Sequence, residues 1–173
     1  MINKIELVAK NDVLIEVVSN DFKKVIRFSD IQPYWSYATE EDFEGGFAKI
    51  IGDKILFSLS TASMQGGIVA IWNANSQKIE HISEGAYCVT ANIYNGKVYR
   101  LLCVSNFVTK EHFELWETPI GIMDANEEGT EIQIDTQTLC DKFDGSYSSV
   151  DLEVSADSYV INLNGENYSY TKI

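Results

Sequence analysis

Short apolar–polar alternation, broken every six to ten residues by a turn dipeptide, runs through the chain from end to end and restricts it to a β-rich fold. Side chains on a strand point to opposite faces in turn, so a period of two matches a strand with one face buried. The pattern predicts strands at 4–9, 13–18, 22–28, 47–51, 54–60, 67–72, 77–82, 86–94, 97–105, 111–116, 130–135, 147–154, 158–163 and 166–172. Asn95-Gly96 and Asn164-Gly165 are the firmest turn signals, because both central residues of a type I′ hairpin need positive φ. Asn11-Asp12, Asn20-Asp21, Gly52-Asp53 and Ala156-Asp157 read as turns of the same kind. The one stretch with helical character is 39–44, where Thr39 and Asp42 have capping-box spacing.

The expected fold class is therefore all-β, an antiparallel meander of hairpins. At 173 residues with 45% apolar content, a single domain over 1–173 is expected. A possible internal repeat adds detail. AKIIGDKILFSL, from Ala48, aligns with ANIYNGKVYRLL, from Ala91, and the strand ending in Trp72 aligns with the one ending in Trp116, so segment 48–73 matches 91–117. Units of about 44 residues with this strand order resemble propeller blades, and ordinary hairpins of a β-sandwich or barrel are the alternative. Either way Trp72 and Trp116 are expected in the core.

The chain offers little chemistry. His81 and His112 are far apart and read as solvent-facing strand positions, and there is no nucleophile elbow, phosphate-binding glycine loop or metal-type Cys/His spacing. A non-enzymatic protein without metal or cofactor is expected. Segment 124–135, DANEEGTEIQID, imitates a calcium loop but ends in Asp135 and lacks a leading helix, so it reads as a solvated acidic turn. Three cysteines suit a reducing compartment. An Asn95-Gly96 turn sets Cys88 opposite Cys103, which leaves a cross-strand disulfide open, although two reduced core thiols are the favoured reading. The first residues lack a signal-peptide pattern and no apolar run is long enough to span a bilayer as a helix, so a cytoplasmic protein with no membrane partner is expected.

Charge is the most informative bulk property. Residues 1–110 hold 12 acidic and 11 basic side chains, whereas 111–173 hold 14 acidic and 2 basic. A surface of that kind repels nucleic acid and attracts a basic protein face. The only local basic group, Lys23, Lys24 and Arg27, is split across the two faces of its strand, so no nucleic-acid groove is expected. Asp124, Glu127, Glu128, Asp141 and Asp144 are the expected partner contacts. A second candidate is QPYWSYATEEDFEGG, where Tyr34, Trp35 and Tyr37 precede four carboxylates in a segment without alternation and could form a carbohydrate- or small-ligand-binding loop.

In size, acidity and want of a catalytic set, the whole chain resembles the immunity proteins of bacterial contact-dependent and polymorphic toxin systems; no stretch such as NGKVYRLL or FELWETP marks one family among them. The resemblance implies a cytoplasmic inhibitor that covers the active face of a basic, nuclease-like toxin domain.

Overall fold

The computed structural model describes residues 1–61, 66–104, 112–122, 129–143 and 149–173. They form four antiparallel sheets, each built from one contiguous stretch of chain. The first is the meander β1 (Ile2–Lys10), β2 (Val13–Ser19) and β3 (Lys23–Arg27), followed by the single-turn helix α1 (Phe28–Ile31). The second comprises β4 (Phe43–Gly45), β5 (Ala48–Ile51), β6 (Lys54–Thr61), β7 (Gly66–Asn73) and β8 (Lys78–Gly85), with β4 and β5 both pairing one edge of β6. The third contains β9 (Tyr87–Tyr94), β10 (Lys97–Val104), β11 (His112–Pro119) and β12 (Thr130–Ile132). After helix α2 (Gln137–Lys142), the fourth is β13 (Val150–Val154), β14 (Ser158–Leu163) and β15 (Glu166–Thr171).

Three apolar layers hold the sheets face to face. Ile15, Val17 and Ile26 of the first sheet meet Ile55, Phe57, Leu59, Ile68, Ala70 and Trp72 of the second, with Trp35 closing the layer. The opposite face of the second sheet, through Leu56, Val69 and Ile71, packs on Cys88, Ala91, Val98 and Leu102 of the third. Tyr99, Leu101, Phe113 and Leu115 then turn to Leu152, Tyr159, Ile161 and Leu163 of the fourth. The second and third sheets are thus covered on both faces, and β7 is buried at every position. Strands in that position carry apolar residues continuously instead of alternately. The expectation of half-buried strands holds for β13 and β14 and fails for β6, β7 and β10. Among the described residues, neither an apolar layer nor a strand ladder joins the first sheet to the fourth, so no barrel or propeller closure is seen.

Asn11-Asp12, Asn95-Gly96 and Asn164-Gly165 all have positive φ at both residues, as type I′ turns require. Asn20-Asp21 and Ala156-Asp157 do not. There the serine just before the turn takes over: Ser19 Oγ accepts from the Asp21 and Phe22 amides, and Ser155 Oγ from those of Asp157 and Ser158. The expected helix at 39–44 is instead a turn leading into β4. Thr39 and Asp42 do bond reciprocally, at 3.2 Å each way, but Phe43 pairs with Thr61 and carries the chain into the sheet.

The disulfide is ruled out by register. Lys97 to Leu101 pair with Tyr94 to Thr90 in step, then a bulge at Val89 moves Leu102 opposite Cys88 and Cys103 opposite Tyr87. That slip sends Cys88 into the second layer and Cys103 into the third, on opposite faces of one sheet, and both are free. Trp72 is buried in the first layer; Trp116 is half-buried beside the second, its Nε1 donating to Glu114 at 2.8 Å.

Candidate functional site: an acidic end of the stack

Since each sheet is a contiguous segment and the sheets stack in chain order, charge segregated along the sequence becomes charge segregated in space. The first two sheets carry both signs and make four ion pairs of their own: Lys4 with Glu6 at 3.1 Å, Lys23 with Glu16 at 3.5 Å, Arg27 with Asp12 at 4.0 Å, and Lys54 with Glu80. The acidic third of the chain supplies β11, β12, α2 and the whole fourth sheet. Here Glu131, Asp135, Asp141, Glu153 and Asp157 are exposed, and none has an ion pair with another described residue.

Part of the charge is neutralised. Lys97 reaches Glu117 at 2.5 Å and Lys49 reaches Asp151, so two lysines of earlier strands cross to the acidic segment. His112 Nε2 lies 2.9 Å from Glu114. Lys142 bonds Glu166 at 2.5 Å; with the Tyr168 hydroxyl, it holds the Glu166 carboxyl below the usual range, while Glu166 raises the Lys142 ammonium. These contacts are at the surface, and surface pairs contribute little to stability.

Of the expected partner contacts, Asp124, Glu127, Glu128 and Asp144 lie outside the described residues. Asp141 is exposed on α2 and accepts from Gln137 Nε2 at 2.9 Å. Of the imitation calcium loop, 124–128 also lie outside them, and its Thr130, Glu131 and Ile132 form β12. Among the described residues no group of three His, Cys, Asp or Glu is placed to hold a metal ion, and no helix is long and apolar enough to cross a membrane.

The aromatic loop is divided. Trp35 is 5% exposed and belongs to the first apolar layer, whereas Tyr34 and Tyr37 are 49% and 40% exposed. Trp35 packs edge-on against Tyr37 at 5.7 Å, so the loop pins itself to the sheet and does not offer three rings to one ligand. Tyr34 borders an open groove of about 560 Å³ shared with Lys24, Asp30, Trp72 and Lys78. The neighbouring carboxylates are engaged locally: Glu40 accepts from the Asp12 amide at 3.3 Å, and Glu44 from the Tyr87 hydroxyl at 2.9 Å.

The expectation of a solvent-facing His81 is overturned. It is fully buried because the third sheet covers that face of β8. Its Nδ1 accepts from the Gly121 amide at 3.2 Å, so Nε2 carries the proton toward Ser83 Oγ at 3.0 Å. Burial and the nearby Arg100 guanidinium lower its pKa to about 4. Arg100, 1% exposed, donates to the Glu84 carbonyl at 3.0 Å and the Thr118 hydroxyl at 3.1 Å. This buried polar group ties the end of β11 to β8. A histidine that titrates so low is a poor general base at neutral pH, and Ser83 beside it is buried too. A sequence signal existed for Arg100, an arginine inside the apolar run of NGKVYRLL; His81 had none, because its burial depends on a neighbouring sheet.

Comparison with family models, curated proteins and solved structures finds no match.

Proposed function

We propose that this chain is a non-enzymatic protein-binding domain that takes a basic protein partner on the acidic end of its stack. The observation that supports this reading is the set Glu131, Asp135, Asp141, Glu153 and Asp157, all exposed and none in an ion pair with another described residue, on β12, α2, β13 and the turns beside them. Sustained negative potential speeds encounter with a positive face and penalises wrong partners, whichever residues finally touch. The resemblance to immunity proteins supplies the partner class: a basic, nuclease-like toxin domain whose active face is covered, in the cytoplasm. The fold suits the role. We read the four meanders as propeller-like units stacked face to face, in preference to a single sandwich or barrel, because the two central sheets are covered on both sides.

The partner to test first is the product of the gene immediately upstream, expected to be a large secreted protein with a basic C-terminal domain. The two should co-purify, and association should slow by about tenfold or more when Glu131, Asp135, Asp141 and Glu153 are changed together to the matching amides, with the slowing lost at high salt. Neutral Glu6→Gln and Glu16→Gln changes on the first sheet should leave the rate alone. No complex at low salt, or equal effects from both sets, would overturn the proposal.

A second reading, a carbohydrate- or small-ligand site, is favoured only by the exposed Tyr34 at its groove beside Trp72. Quenching of tryptophan fluorescence by a glycan, abolished by Tyr34→Ala, tests it; no response across a broad glycan panel removes it.

A further inference from the structure

Lys172, just beyond β15, places its ammonium over three tyrosine rings at once. Nζ lies 4.8 Å from the ring centroid of Tyr94, 5.2 Å from Tyr99 and 4.7 Å from Tyr159. The rings come from β9, β10 and β14, so the cage straddles the seam between the third and fourth sheets. Tyr99 and Tyr159 are 5% and 7% exposed, and their rings hold each other at 5.8 Å, which makes two walls rigid. The cage opens into a cleft of about 460 Å³ that Glu117 also lines.

Aromatic faces attract cations through the ring quadrupole, and three faces around one point form the arrangement that selects alkylated ammonium groups. A primary ammonium such as that of Lys172 is strongly hydrated and better served by oxygen acceptors. Here it finds the Ser155 carbonyl at 2.5 Å. The hold on Lys172 is local: its amide donates to the Asp157 carbonyl at 2.8 Å, and the next pair inward, Ser158 with Thr171, ends the β14–β15 ladder. The side chain can therefore leave the cage without unpairing the interior of the sheet.

We propose that Tyr94, Tyr99 and Tyr159 form a binding site for an alkylammonium head group, a quaternary ammonium or N-methylated lysine, for which Lys172 is a tethered competitor. The cleft adjoins the acidic residues, with Ile132 and Ile134 lying between Glu131 and Asp135, but its ligand is a small cation and its test needs no partner protein. The probe is tetramethylammonium chloride, titrated into the 173-residue chain and followed by NMR, with sodium chloride at matched ionic strength as reference. In the unmodified protein the Lys172 ε-methylene signal starts upfield, shielded by the rings, and moves toward the free-lysine position as the probe displaces it. Lys172→Met keeps the apolar stem and removes the competing charge, and it binds the probe at least about fivefold more tightly because no internal cation then competes for the ring faces. Tyr94→Leu in that background, which removes one half-buried ring, returns most of this gain. Tyrosine and Lys172 signals that follow only the sodium chloride reference would overturn the proposal, as would equal affinities with and without the Lys172 charge. Should Lys172→Met not fold, displacement of Lys172 in the unmodified protein decides the matter alone.

Discussion

Lys49 bridges three sheets, and its replacement by methionine measures how much that bridge contributes. From β5 its ammonium donates to Thr90 Oγ1 at 2.7 Å and the Ala91 carbonyl at 3.1 Å on β9, and it pairs with Asp151 on β13. Thr90 and Ala91 are 1% and 0% exposed, so both acceptors lose a charged donor where water enters poorly. Hydrogen bonds to charged groups are worth about 1.5–3 kcal/mol each. The Asp151 side chain is 59% exposed, which limits that contact to at most about 1 kcal/mol. Methionine retains most of the apolar stem, so little burial changes. Because the Thr90 hydroxyl keeps its own proton to donate and loses only its acceptor role, the sum is discounted to about 3 kcal/mol of destabilisation for Lys49→Met, against less than about 1 kcal/mol for Asp151→Asn. Urea unfolding followed by tryptophan fluorescence reads both, and unchanged m-values would show that the unfolded state is not the cause. Equal and small losses for the two variants would mean that Lys49 makes an ordinary surface pair, and the clamp argument would fail.

Stability should also depend on pH through His81. Its pKa falls from 6.5 to about 4 on folding, so the unfolded chain binds the extra proton first; the contribution is full above about pH 6.5 and is lost as pH drops toward 4. The difference is worth about 3 kcal/mol at most, and His81→Gln should flatten the acid limb by that amount; a gap between the two proteins that stays constant with pH would refute it. A thiol reagent should modify half-buried Cys140 in the folded protein and spare buried Cys88 and Cys103 until urea is added, since burial also pushes the Cys88 thiol up to about 12. Recovery of a Cys88–Cys103 disulfide under mild oxidation would show that the Val89 bulge is misplaced. Gly96→Ala, at φ +74°, should cost about 1 kcal/mol in thermal or urea unfolding, and a neutral effect would contradict the type I′ turn.

The strand inventory was legible because it rests on local physics. Alternation in segments such as 158–163 and positive-φ dipeptides such as Asn95-Gly96 act over a few residues, and the structure carries strands at each expected place. The misses are also local in form but not in cause. Segment 39–44 has the bonding of a helix start, yet Phe43 gains more by pairing with β6 and packing against Phe28 at 6.0 Å. α1 and α2 were too short to impose a helical period on the sequence.

The sequence alone determined which segments are strands, where most hairpins turn and that negative charge gathers late in the chain. Only the tertiary structure decided that β7 is buried on both faces, that Val89 bulges and parts two cysteines, that His81 is interior and that Lys172 sits among three tyrosines. Each of these depends on what the next sheet brings into contact, and burial, register and desolvation belong to pairs of surfaces that no single segment encodes.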